Sequence, residues 1–400
     1  MSASPLASLT LSHRLLWDRQ RALAGAQLLI DTLPDADISG AGYARYLFAT
    51  LADLWPPHAP PLLLTLRDPA LLLDMLTQAQ PSEKSEARRG ASKEGDAPQG
   101  LWIALGPEAQ RDPVLGPRAR QAAARGLPVL WTTRQETGAP FILQAPERRL
   151  LAAQALDMND KSAQTWAVAG WPVEDTLRDL PDAARAPARA SILGVLQAIE
   201  DDASDDDIEA LLCADPVLCH RFLQRVNKAA PRERGSIDTV RRGLQVWGLK
   251  HVYAWLHAQQ ANSDDLPDLR PVRMGMAVHA HLVEHLLDPG DEEDLRREIY
   301  LCGLYAQMER LVGESLPSLL RGLPLSQRIQ QALLESSGPY YPALQLAQAI
   351  EAGDARGQRL LAESYGYANE DLCRAVLRTL AQALTRPHSL GLIPGAAALN

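Results

Sequence analysis

Residues Ser204–Val226 read SDDDIEALLCADPVLCHRFLQRV, with two helix starts back to back. Ser204-x-x-Asp207 forms a capping box: the hydroxyl accepts from the third amide of the helix while the carboxylate reaches back. Ile208, Leu211 and Leu212 then supply a buried face. Asp215-Pro216 opens the next helix, with Asp as N-cap and Pro at the first helical position, where its missing N–H costs nothing. Val217, Leu218, Phe222, Leu223 and Val226 follow at helical spacing.

The same period continues toward the C-terminus. Ser236 is expected to cap a third helix whose apolar side is Ile237, Val240, Leu244 and Trp247, ended by Gly248. Further helices are expected at Met274–Leu287, Leu295–Leu311, Ser326–Leu334, Tyr341–Ala352, Gln358–Ser364 and Asn369–Leu384. An all-α domain over 191–385 follows, with a flexible tail at 386–400 and no repeat that suggests a solenoid.

Upstream the pattern changes. Short apolar runs bounded by turn residues recur at Arg14–Trp17, Ala26–Ile30, Leu62–Leu66, Leu101–Leu105, Pro128–Trp131, Phe141–Leu143 and Trp166–Val168. Helical stretches such as Tyr43–Leu54 and Pro69–Ala79 separate several of them. Buried runs alternating with helices predict an α/β domain over 1–175 with a largely parallel sheet. There are too few runs for a complete eight-fold barrel of about 250 residues. Residues 80–99 (QPSEKSEARRGASKEGDAPQ) lack Leu, Ile, Val and aromatics and read as a disordered loop. The Pro- and charge-rich residues 176–190 read as a linker.

Composition agrees with a soluble two-domain protein. The 400 residues are 46% hydrophobic and 22% charged, and Ala and Leu favour helices. Lys and Arg number 40 against 49 Asp and Glu, a net charge of −9, which excludes a surface built throughout for nucleic acid. Cys213, Cys219, Cys302 and Cys373 form no C-x-x-C pair and read as reduced buried thiols. With neither a signal-peptide pattern nor a run of about 18 apolar residues, the expectation is a cytoplasmic protein without membrane contact.

Three constellations merit chemistry. His281 and His285 are four apart on a helix, a spacing that can put two imidazoles on one metal. However, Leu282, Val283 and Glu284 do not complete H-E-x-x-H, His279 lies off that face, and no third ligand stands out, so no metal is expected. Neither a G-x-S-x-G elbow nor a Gly-rich loop opening a helix is present. Finally, acids from Glu200 to Asp207 precede the basic residues Arg221, Arg225, Lys228, Arg232, Arg234, Arg241, Arg242 and Lys250. The stripe 221–250 could meet nucleic acid, but an acidic helix start beside it favours mutual neutralisation.

The stretch from Ile192 to about Leu384 resembles the HDOD domain, a helical output module related to HD phosphohydrolases. Asp215-Pro216-Val217-Leu218 is similar to its D-P-x-L helix start, and Arg225-Val226-Asn227 to its Asn-bearing segment. Ser236-Ile237-x-x-Val240-x-x-Gly243-Leu244-x-x-Trp247-Gly248-Leu249 resembles its S-I-x-x-A-I-x-x-L-G signature. Tyr300–Leu304, Leu323-Pro324-Leu325, Gly338-Pro339 and Glu351-x-Gly353-Asp354 resemble the subgroup in which HDOD follows a cyclic-di-GMP phosphodiesterase-like EAL domain. Asp215, Pro216, Asn227, Ser236 and Gly248 are the family-motif positions, with capping and turn geometry as their first expected role.

An HD enzyme needs a His-Asp dipeptide among its metal ligands, and none exists in this sequence. The first domain resembles a degenerate, truncated EAL-like barrel. Leu15–Arg19 is similar to that subgroup's Q-P-I-F-D-R opening. Gln27 and Ala104 stand where the resemblance implies metal-binding glutamates, and Thr132-Thr133 where it implies paired aspartates. Gly170-Trp171-Pro172 is similar to its closing turn. The expectation is a catalytically inactive bacterial signal-transduction protein, with no cofactor or metal, that acts through protein–protein contact. The alternatives are a sensor that binds a cyclic dinucleotide without cleaving it and a nucleic-acid binder through 221–250.

Overall fold

The structure is a computed structural model that describes residues 4–34, 36, 38, 41–78, 100–132, 141–157, 165–229 and 237–385. The expected loop at 80–99 and tail at 386–400 lie outside the described residues, as does Ser236. The chain divides into two compact units, Met1–Pro172 with Gln348–Thr385, and Val173–Ala347.

The first unit is a closed barrel of seven strands in sequence order. They are β1 (Leu9–Trp17), β2 (Leu23–Thr32), β3 (Leu62–Leu66), β4 (Leu101–Leu105), β5 (Val129–Trp131), β6 (Phe141–Gln144) and β7 (Thr165–Ala169). Each expected apolar run is one of these strands. β1 is antiparallel to both its neighbours, β2 and β7, and the other pairings are parallel. Between them run α1 (Ala41–Leu54), α2 (Pro69–Gln78), α3 (Pro107–Arg111), α4 (Leu115–Ala124) and α5 (Arg149–Asp157).

Alternation along the strands divides the two faces of the sheet. Leu16, Leu63, Ala104, Leu130, Ile142, Ala167 and Ala169 meet in one buried cluster drawn from six strands. Only the barrel interior can bring those strands together, so this is the inward face. Residues in register with it are inward too: Ser12 and Arg14 on β1, Gln27 and Leu29 on β2, Thr65 on β3 and Gln144 on β6.

Among the described residues of the second unit, the regular elements are helices. It contains α6 (Val173–Asp179), α7 (Pro181–Ala184), α8 (Arg189–Glu200), α9 (Asp205–Ala214), α10 (Pro216–Ala229), α11 (Val240–Trp247), α12 (Leu249–Gln259), α13 (Arg270–Leu287), α14 (Glu293–Val312), α15 (Leu316–Leu319) and α16 (Gln327–Leu334). α13 and α14 cross closely because Gly303 has no side chain; a β-carbon there would lie 2.7 Å from the Ala280 Cα. α17 (Tyr341–Ala352) leads the chain to α18 (Ala355–Tyr365) and α19 (Asn369–Thr385), which belong to the barrel unit. Among the described residues, no helix is long and apolar enough to cross a membrane.

Three readings need correction. α11 begins at Val240, not after Ser236, and its cap is Thr239, whose hydroxyl accepts from the Arg242 N–H at 3.3 Å. Residues 176–190 are largely helical, in α6, α7 and the start of α8, where Pro and charge had suggested a linker. Residues 348–385 group with the barrel, although their helical period had suggested the helical domain. Helical spacing reports an apolar face, and says nothing about which partner covers it. Here the partner is β1: the buried Cys373 thiol lies 3.6 Å from the Leu6 carbonyl and 3.5 Å from that of Leu9.

Candidate functional site

The family-motif residues are placed by local chemistry. Asp215 is 1% exposed, and its Oδ1 accepts from the Val217 and Leu218 N–H groups at 3.0 Å each. Its Oδ2 accepts from the Ala188 N–H at 2.7 Å and lies 3.9 Å from the Arg273 Nε. Pro216 fills the first position of α10. Asn227, near the other end of α10, donates to the Leu223 and Ile237 carbonyls at 2.9 and 2.7 Å and accepts from the Ile237 N–H at 3.1 Å. It pins the chain at Ile237, three residues before α11. Gly248, at φ +79°, turns the chain from α11 into α12, a conformation that suits glycine. Asp215 and Pro216 share one helix start, and Asn227 and Gly248 serve other turns.

A charged cleft of about 800 Å³ lies in the helical unit, with Asp206, Arg241, Arg297, Glu298 and Arg328 in its wall. Arg241 meets Asp206 at 2.6 Å, so the acidic helix start and the basic stripe neutralise each other there. Arg297 reaches Glu209 at 2.9 Å and Asp206 at 3.2 Å. Burial pushes the Glu209 carboxyl up, while Arg297 and Arg241 pull it down. Glu298 was missed in the sequence. It accepts from Ser326 at 2.5 Å, Tyr340 at 2.9 Å and Arg328 at 2.8 and 3.0 Å. No local spacing signals that hub, because its partners stand 28 to 42 positions away.

Other cations of the stripe are also engaged internally. Arg221 donates to the Arg185 carbonyl at 2.9 Å, and Arg225 lies 5.6 Å from the centre of the Trp247 ring. His281 bonds Glu284 at 3.0 Å, and Glu284 meets Arg296 at 3.3 Å. Among the described residues, no group of three or more His, Cys, Asp or Glu is arranged to hold a metal ion. Cys213 and Cys219 are free thiols 3.8 Å apart. The hydrogen bond between them, with burial, holds the Cys213 thiol well above its ordinary pKa. Burial pushes His220 down to about 4, helped by Arg221, and its Nδ1 lies 3.1 Å from the Tyr305 hydroxyl.

The barrel interior presents a different set. Gln27 is buried and its Nε2 lies 2.8 Å from the Thr65 hydroxyl, leaving its Oε1 without a partner. Ala104 belongs to the aliphatic filling, and the Thr132 hydroxyl points back to the Leu105 carbonyl at 3.3 Å. Thr133 lies outside the described residues. A hard divalent cation is held mainly by carboxylates, and a neutral amide, a methyl group and a committed hydroxyl fit one poorly.

Polar groups line the end where the parallel strands finish. Arg14 lies beyond the β1–β7 pairing, which runs through Leu16 and Trp17, and donates at 3.2 Å to Gln144, the last residue of β6. Arg67, just past β3, meets Asp31 at 3.1 Å and the Gly353 carbonyl at 3.4 Å. Gln358 of α18 donates to Ser12 at 2.7 Å.

No family model matches the chain. Over 175 residues it is 25% identical to the cyclic di-GMP phosphodiesterase CdgJ of Vibrio cholerae serotype O1; the match covers 41% of this chain and 38% of that protein. The chain thus spans about two fifths of the length of this curated relative. Among solved structures it is similar to the response regulator MmoQ from Methylococcus capsulatus, at 18% identity and a TM-score of 0.39, covering 48% of this chain and 97% of that one.

Proposed function

We propose that this protein is a signal-transduction regulator that carries an EAL-like barrel and an HDOD-like helical unit and acts through protein–protein contact rather than catalysis. The resemblance to a cyclic di-GMP phosphodiesterase supports the signalling context. The observation that carries the non-catalytic reading is the barrel interior. Where the resemblance implies metal-binding glutamates, Gln27 is bonded to Thr65 and Ala104 is packed among aliphatic side chains. Metal-activated water needs a firmly held cation, and neither of these two positions offers the carboxylate that the resemblance implies.

The test is hydrolysis of cyclic di-GMP and a generic phosphodiester by the full chain with added Mg²⁺ or Mn²⁺. Activity equal to a chelated control is expected, and turnover above that control overturns the reading. Protein contact is tested by affinity capture, followed by reconstitution of a stoichiometric complex from purified components.

A further inference from the structure

Arg14 is a half-buried cation on the inward face of β1. Its cross-strand neighbour on the inward face is the neutral Gln27, and its hydrogen-bond partner is the neutral Gln144. Burial and the nearby Arg67 both depress its pKa, so the charge sits where water screens it poorly and a like charge opposes it. Arg67 has Asp31 and the Gly353 carbonyl to bond, but among the described residues no carboxylate is bonded to Arg14.

Two amide atoms beside Arg14 are buried without partners: the Oε1 of Gln27, which is 2% exposed, and the Nε2 of Gln144. Buried polar atoms are normally hydrogen-bonded, so unmet atoms of this kind call for a ligand that satisfies them. Arg14 and the Gln144 Nε2 donate, while the Gln27 Oε1 accepts. The matching ligand is an anion with several acceptor oxygens and one remaining proton. Hydrogen phosphate has that character near neutrality and a phosphate monoester has it as the monoanion, below its second pKa of about 6, whereas sulfate has the oxygens without the proton. In barrels of parallel strands, this end is where ligands bind.

We propose that the strand-end mouth of the barrel binds a singly protonated phosphate group, with Arg14 and the Gln144 amide donating to its oxygens and the Gln27 carbonyl accepting its P–OH. The donor set suits an anion where the resemblance implied a cation site. The proposal stands on this geometry alone and is independent of the non-catalytic reading, which the hydrolysis assay tests separately.

The experiment is calorimetric titration of the full chain with inorganic phosphate, glycerol phosphate and sulfate at constant ionic strength. Saturable one-site phosphate binding is expected, at least tenfold tighter than sulfate. Arg14→Gln should weaken it at least tenfold, and Gln27→Leu should erase the preference over sulfate. Tighter binding of glycerol phosphate assigns the site to a phosphorylated metabolite, and tighter binding of inorganic phosphate to the free ion. Absence of saturable phosphate binding, equal binding of sulfate, or undiminished binding by folded Arg14→Gln overturns the proposal. Should Arg14→Gln not fold, Gln27→Leu and the sulfate comparison decide.

Discussion

Gln358 on α18 donates to the Ser12 hydroxyl on β1 across 2.7 Å, and 346 positions of sequence separate the two residues. Both are almost wholly buried, so each is the other's substitute for water. Gln358→Ala leaves the Ser12 hydroxyl without this donor, and the expected loss is about 1–3 kcal/mol. Denaturant unfolding followed by a probe in the barrel unit measures it. An unchanged midpoint would contradict the role of this bond.

Glu298 gathers Ser326, Arg328 and Tyr340 around one carboxylate. Glu298→Ala removes four charge-assisted hydrogen bonds and is expected to cost about 2 kcal/mol or more. Arg328→Ala should cost less, about 0–1 kcal/mol, because its side chain is 49% exposed. A double-mutant cycle by chemical denaturation isolates the pair.

Gly303 sets the separation of α13 and α14. A methyl group there would fall 2.7 Å from the Ala280 Cα, which is backbone and cannot turn aside. Gly303→Ala is therefore expected to destabilise by about 1–3 kcal/mol, even though alanine favours helices. A thermal midpoint equal to wild type would refute the close crossing.

His220 makes stability depend on pH. Its folded pKa is lowered by burial to about 4, while in the unfolded chain it is about 6.5. Between these values the unfolded state binds the proton and the folded state does not, so stability falls as pH drops through that window. From pH 7 to pH 5 the contribution is about 2 kcal/mol. Comparing unfolding midpoints at the two pH values for wild type and His220→Gln checks it: the variant should lose less on acidification.

How much was legible follows from the range of each interaction. The Ser204–Asp207 box and the Asp215-Pro216 start act within three residues, and both occur as read. The seven apolar runs are likewise seven strands. Thr239 replaced Ser236 as a cap because two hydroxyls precede that helix, and only backbone geometry selects between them. The barrel was implied by the resemblance alone: local pattern does not show its closure, since β1 meets β7 across some 150 residues at Leu16 and Ala169. Nor does it show the polar set at its mouth, where Arg14 and Gln144 stand 130 positions apart.

The grouping of α18 and α19 with β1 bears on how the chain is made. β1 leaves the ribosome more than 300 residues before the helices that cover it. The Leu6 and Leu9 carbonyls acquire the Cys373 thiol, and Ser12 acquires Gln358, only when Ala355–Tyr365 and Asn369–Thr385 have been translated. Nascent domains generally fold from the N-terminus, and contacts between distant segments form late. The barrel unit must therefore wait through synthesis of the whole helical unit with β1 incompletely covered, a window in which chaperone binding has most to protect. A stop codon anywhere before residue 348 would make that interval permanent.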